Sequence, residues 1–157
     1  MIYNPYDSDK YPSRKSPRLK NYDYTASNVY FVTICTHEKR CIFGDPSQLN
    51  SYGQIVYQGI RNIPIHYPDV KIEHFVVMPN HVHMLLYLKG KQISLSQVIG
   101  TWKAYVTRQI HKKDPELIIW QSSFHDHIVR DEKGYQNIWQ YIEGNPMNWE
   151  KDCFYIK

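Results

Sequence analysis

Hydrophobic positions along the chain fall into alternating and helical periods that succeed one another in a definite order. "NVYFVTICTH" opens it, with Val29, Tyr30, Phe31, Val32, Thr33 and Ile34 making a dense β-branched and aromatic run that predicts a strand. Turn chemistry follows in "GDPSQLNSYG". In "GQIVYQGIRNIPIHYP", Ile55, Val56, Ile60 and Ile63 recur near helical spacing, which predicts an amphipathic helix ending by Pro64. "VKIEHFVVM" and "HVHMLLYL" read as two strands joined at Pro79-Asn80, an antiparallel hairpin. A second helix is expected in "SLSQVIGTWKAYVTRQIHKK", with Ser94 as its cap and Val98, Trp102, Tyr105, Val106 and Gln109 as its stripe. "SSFHDHIVR" gives a short last strand, and "DEKGYQNIWQYIEGNP" a third helix stopped by Gly144-Asn145-Pro146.

The order strand-helix-strand-strand-helix-strand is the split βαβ, ferredoxin-like pattern. It predicts an α+β fold: an antiparallel sheet with helices on one face, followed by a C-terminal helix. Strand parity then sorts the side chains of the hairpin. Val82, Met84, Leu86 and Leu88 share one face and suit burial under helices, while His81, His83, Leu85 and Tyr87 share the other. With the long helices on the aliphatic side, the histidine side is expected to be the free one.

Length and composition set the frame for this pattern. The 157 residues suffice for one hydrophobic core, and 42% hydrophobic residues favour a globular domain over disorder. That domain is expected over residues 25–157. Residues 1–24, rich in Pro, Ser, Tyr and charge, read as a largely irregular basic arm; it is either a solubilising tail or a segment that tracks a nucleic-acid backbone. A net charge of +4 permits a polyanionic partner without requiring one, and the 14 tyrosines suit stacking surfaces as well as cores. Three cysteines without a C-x-x-C pair make a disulfide framework unexpected and point to a reducing compartment. Cys35, His37 and Cys41 are close enough for a zinc knuckle, but no second ligand pair follows at finger spacing. Neither a signal-peptide core nor a stretch approaching the ~20 apolar residues of a membrane helix is present, so a cytoplasmic protein with no membrane partner is expected.

Two features carry possible chemistry. His81 and His83, at i and i+2 on a strand, project in parallel and can reach one metal ion together; the competing reading is a half-exposed structural pair. A two-histidine site leaves coordination positions open, as a catalytic metal requires. Tyr135, Ile138, Trp139 and Ile142 form the stripe of a core-facing helix, so Tyr135 reads first as packing. A tyrosine hydroxyl becomes a nucleophile when a neighbour stabilises the group that it attacks, and a histidine-bound metal does this for a phosphodiester.

Three blocks in order, "SPRLKNYDYTASNVYFVTICTHEKRCIFG", "VVMPNHVHMLL" and "HDHIVRDEKGYQNIWQYIEGNP", resemble the REP-associated tyrosine transposases, within the single-tyrosine HUH transposases. "VMPNHVH" and the closing "YIxxNP" are the most specific pieces. The resemblance implies the same ferredoxin-like fold and a metal-dependent enzyme that nicks and rejoins single-stranded DNA through a 5'-phosphotyrosine. It implies that His81 and His83 bind a divalent cation, Mg2+ or Mn2+. By position in the third block it assigns the nucleophile to Tyr135, with Tyr141 of "QYIEGNP" as the competitor. Insertion-sequence relatives often add a glutamine ligand one turn after the nucleophile. Here that position is Trp139, which cannot coordinate; Gln140, Asn137, a water or His127 stand as substitutes.

The implied substrate is a folded single strand, a DNA hairpin, acted on by a monomer or a homodimer. Stacking aromatics and basic side chains are expected to hold it. Lys103, Arg108 and Arg130 are the inner candidates, and Arg14, Lys15 and Arg18 those on the arm; each competes with a reading as solvated surface charge. Two other functions stay open at this point. One is a catalytically silent nucleic-acid-binding module on the same sheet, and the other a metal-dependent phosphodiesterase that uses water.

Overall fold

The computed structural model describes residues 28–90 and 92–156; the arm expected over 1–24, with Arg14, Lys15 and Arg18, lies outside them. Strand β1 (Asn28–Cys35) leads through a short 3-10 turn into a minor hairpin, β2 (Gly44–Asp45) and β3 (Gln48–Leu49). Then come α1 (Ser51–His66), β4 (Val70–Met78), β5 (His81–Leu88), α2 (Leu95–His111), β6 (His125–Val129) and α3 (Glu132–Gly144). A 3-10 segment, Pro146–Lys151, and an irregular tail close the described chain.

The main sheet has the order β4-β5-β1-β6, with every neighbouring pair antiparallel. This is the ferredoxin-like arrangement read from the pattern. The Pro79-Asn80 turn is as tight as expected, since Met78 pairs directly with His81. Asn50 caps α1 by accepting from Gly53 N–H, and Ser94 caps α2 in a full capping box with Gln97.

Pro64 does not end α1. It sits in the last turn, and the helix runs on to His66, with Tyr67 N–H bonded to the Ile63 carbonyl at 2.8 Å. A proline there removes one hydrogen bond near a terminus that is already losing them, so the final turn survives it.

Val82, Met84, Leu86 and Leu88 lie in the main core with Val56, Ile60, Val98, Trp102 and Val106 of α1 and α2, as strand parity required. The opposite face is not free. Helix α3 covers it, and Ile138 and Ile142 pack on Phe31 and Leu85 in a second core. The apolar stripe of α3 needs a surface to bury against, and the histidine face supplies it. Burying such side chains stabilises by about 1.5–3 kcal/mol each. As a result His81 and His83 are fully buried. Among the described residues no helix is long and apolar enough to cross a membrane.

Candidate metal centre and the two tyrosines

His81 is the first residue after the hairpin turn, and β1 lies alongside, pairing Cys35 with His81 and Thr33 with His83. The two imidazole centroids are 4.5 Å apart. Each ring is held through Nδ1, His83 to the Thr33 hydroxyl and His81 to Asn80 Oδ1, both at 2.8 Å. Ligating histidines are held through the second ring nitrogen in this way, which aims the other nitrogen.

The tail supplies what the hairpin lacks. Asp152 brings Oδ2 to 3.9 Å from His81 Nε2, with its side chain only 1% exposed. One ligand atom each from His81, His83 and Asp152 lie within 4.8 Å of one another. Asp152 is fixed on both oxygens, since Oδ1 accepts from Phe154 N–H and Oδ2 from Asn145 Nδ2, both at 2.8 Å. Asn145 is buried, and neither its Oδ1 nor His81 Nε2 makes a hydrogen bond of good geometry among the described residues, although Asn145 stands close enough to His81 to raise its pKa. Orphaned buried acceptors are costly unless something else satisfies them, and a cation suits a donor set of imidazole, carboxylate and amide oxygen. The residues present therefore fit a divalent ion.

Burial holds both imidazoles neutral, the form that ligates. His81 is pushed down to about 4 by desolvation, against the upward pull of Asp152 and Asn145. His83 lies well below its ordinary value because of burial and the neighbouring His81. Rings of the tail pack over the pair: Phe154 lies 4.6 Å and Trp149 6.0 Å from His81.

The two tyrosines of α3 go to different places. Successive residues turn by about 100° around a helix, so positions 135 and 141 lie about 120° apart, flanking the Ile138/Ile142 stripe. Tyr135 is on the β4 flank, where its hydroxyl donates to Glu73 Oε2 at 3.2 Å. Burial, the Glu73 charge and that hydrogen bond all raise its pKa, which disfavours the phenolate. Trp139, one turn on, stacks on His74 at 4.4 Å, and His74 pairs with Glu143 at 2.7 Å. Tyr141 is on the other flank, half-buried, with its ring 5.2 Å from that of His83 and 6.1 Å from that of Phe31.

Of the third ligands considered from sequence, Trp139 stacks on His74 and Gln140 is exposed. His127 pairs with Phe31, two strands from β5. Asn145 was missed because the one-turn spacing was counted from Tyr135; counted from Tyr141 it lands on Asn145. Asp152 carries no sequence signal, since it stands in irregular chain. Nor is the zinc-knuckle trio assembled: Cys41 is exposed, and neither Cys41 nor His37 belongs to the cluster.

Among the described residues, the expected DNA-binding cations Lys103, Arg108 and Arg130 stand in separate places. Lys103 Nζ donates to the Gln121 carbonyl at 2.8 Å. Arg108 lines a groove of about 450 Å³ between α1 and α2, on the other side of the sheet. Arg130 is exposed where β6 passes into α3. Lys39 places its Nζ 5.5 Å from the Phe154 ring that packs on His81.

The chain is similar to several known proteins. An uncharacterized protein of Haemophilus influenzae is 39% identical, over 91% of this chain and 93% of its own length. Another from that organism, provisionally named a REP-associated tyrosine transposase, is 28% identical over 82% of this chain and 77% of its own. Among solved structures, a REP-associated tyrosine transposase bound to a REP hairpin superposes with a TM-score of 0.67. That match has 22% identity and covers 84% of this chain and 73% of the other. A crystal structure of a Deinococcus radiodurans protein provisionally named a transposase gives a TM-score of 0.54 at 20% identity, covering 81% of this chain and 97% of its own. The family model described as "Transposase IS200 like" matches residues 24–145, and the chain belongs to that family of transposases.

Proposed function

We propose that this transposase nicks and rejoins single-stranded DNA through a phosphotyrosine on Tyr141, in place of Tyr135. His81, His83 and Asp152, with Asn145 beside them, would hold a divalent cation, Mg2+ or Mn2+. The observation that carries the reading is the Tyr141 ring packed against His83 while the Tyr135 hydroxyl is engaged by Glu73. When bound, the cation draws charge from the oxygens of the scissile phosphate. Tyr141 Oη attacks the phosphorus, a bond forms between them, and the P–O3' bond breaks. The tyrosine's proton passes to solvent and the departing 3' oxygen takes one up, so the products are a 5'-phosphotyrosine and a free 3'-hydroxyl. Attack by another 3'-hydroxyl reverses the step without an energy source. A hairpin substrate is supported by the REP hairpin held in the structural relative.

A second reading, the silent binding module, is favoured by the Phe154 and Trp149 rings lying over His81. One experiment separates the two. Labelled hairpin DNA with a single-stranded flank is incubated with protein and Mg2+ or Mn2+, and covalent adduct is sought on a denaturing gel. Wild type and Tyr135→Phe should form adduct and Tyr141→Phe should not. The reverse pattern returns the nucleophile to Tyr135. Cleavage without adduct means a water nucleophile, and binding without cleavage means the silent module.

A further inference from the structure

Asn80, the middle residue of "PNH", is fully buried, and every hydrogen-bonding group of its side chain is engaged. Its two Nδ2 hydrogens go to the carbonyls of Lys39 at 3.0 Å and Phe154 at 2.8 Å. Turning the amide over would set Oδ1 against those two carbonyl oxygens, so its orientation is determined by chemistry. The backbone of Asn80 is held as well: Thr36 N–H donates to its carbonyl at 2.9 Å, and the single proton of the Thr36 hydroxyl is shared between that carbonyl (3.0 Å) and the carbonyl of Arg40 (2.8 Å). The Lys39 carbonyl is presented by two consecutive non-glycine residues in the left-handed region, Glu38 at φ 55° and Lys39 at φ 54°. Such conformations are strained for non-glycine residues and persist only where the surroundings over-determine them.

Oδ1 of this clamped amide is an acceptor at 2.8 Å from His81 Nδ1, so that nitrogen must carry the ring's proton. A neutral imidazole has one N–H, and the lone pair is then on Nε2, the atom facing Asp152. The Thr33 hydroxyl at His83 imposes nothing comparable, because a hydroxyl donates or accepts equally well. We propose that Asn80 is a positioning residue that fixes His81 in the Nδ1–H tautomer and so sets the affinity of the cluster for a divalent cation. The affinity half rests on the metal-site reading above; the tautomer half does not.

Nitrogen-15 imidazole spectra of the metal-free protein at neutral pH test the tautomer, and Mn2+ titration tests the affinity. Wild type should show His81 protonated at Nδ1. Asn80→Ala should populate the Nε2–H form and raise the Mn2+ dissociation constant about 10- to 100-fold, leaving His83 signals in place. An Nε2–H tautomer in wild type overturns the proposal without any variant, which covers the case where Asn80→Ala fails to fold. Unchanged tautomer and affinity in Asn80→Ala overturn it as well. The expected tautomer with no Mn2+ binding in wild type overturns the affinity half together with the metal-site reading, and leaves the tautomer half supported.

Discussion

Asn145 donates a side-chain N–H to Asp152 Oδ2 at 2.8 Å, and this bond joins the end of α3 to the tail at the point where both meet His81. The helix that carries the tyrosines is thereby tied to the candidate metal centre. Asp152→Ala should remove one ligand and release Asn145 Nδ2 and Phe154 N–H together. We expect Mn2+ affinity, measured by calorimetry, to fall by more than the roughly 10- to 100-fold typical of losing a supporting hydrogen bond. Affinity equal to wild type would show that the carboxylate is no ligand.

Tyr135→Phe tests the other flank of α3. The substitution deletes the hydrogen bond to Glu73 and nothing else, and Glu73 keeps Lys71 at 3.4 Å. A single neutral-to-charged hydrogen bond at a half-exposed site contributes up to about 1.5 kcal/mol, so the change in urea unfolding should stay within that size. A larger loss would mean that Tyr135 anchors the helix.

How much of this was legible in the sequence can be followed residue by residue. Alternation in "HVHMLLYL" sorted Leu86 from His83 correctly, because side chains on a strand alternate whatever covers them. It could not say what covered the histidines, since that depends on where α3 docks. The stripe Ile138/Ile142 announced a buried face without naming its partner, so a covered face was read as an open one. Asp152 was invisible for a related reason. It reaches His81 only after a 3-10 turn has folded the tail back over β5, and no period marks such a path. The pattern could not separate Tyr135 from Tyr141, because it registers the apolar stripe and not the two edges beside it, and only the docked helix sets one tyrosine beside Glu73 and the other beside His83.

The second core makes the docking of α3 measurable. Phe31, Leu85, Ile138 and Ile142 are all buried there, and Leu85→Ala leaves a cavity under the helix. A cost of about 2–5 kcal/mol is expected from denaturant unfolding. Hydrogen exchange should accelerate first in residues 132–144, with α1 and α2 protected as before. Uniform acceleration across all three helices would mean that the two cores unfold as one unit.

Acid should weaken the fold through the same histidines. The pKa of His81 is near 4 in the folded chain against 6.5 for the free group, and that of His83 is also lowered, both mainly by burial. Below pH 6.5 the unfolded chain takes up protons that the folded chain refuses, so stability falls as pH drops from 6.5 toward 4, where the contribution of His81 levels off. Each pKa unit of separation corresponds to about 1.4 kcal/mol, so the loss across this window is on the order of a few kcal/mol. Urea unfolding at a series of pH values measures it. In His83→Gln, which removes one of the two titrating groups, the slope through the window should become shallower. A wild-type stability that stays flat from neutral pH to 4 would mean that the folded chain protonates these imidazoles as readily as the unfolded chain does, so that burial does not hold them neutral in acid.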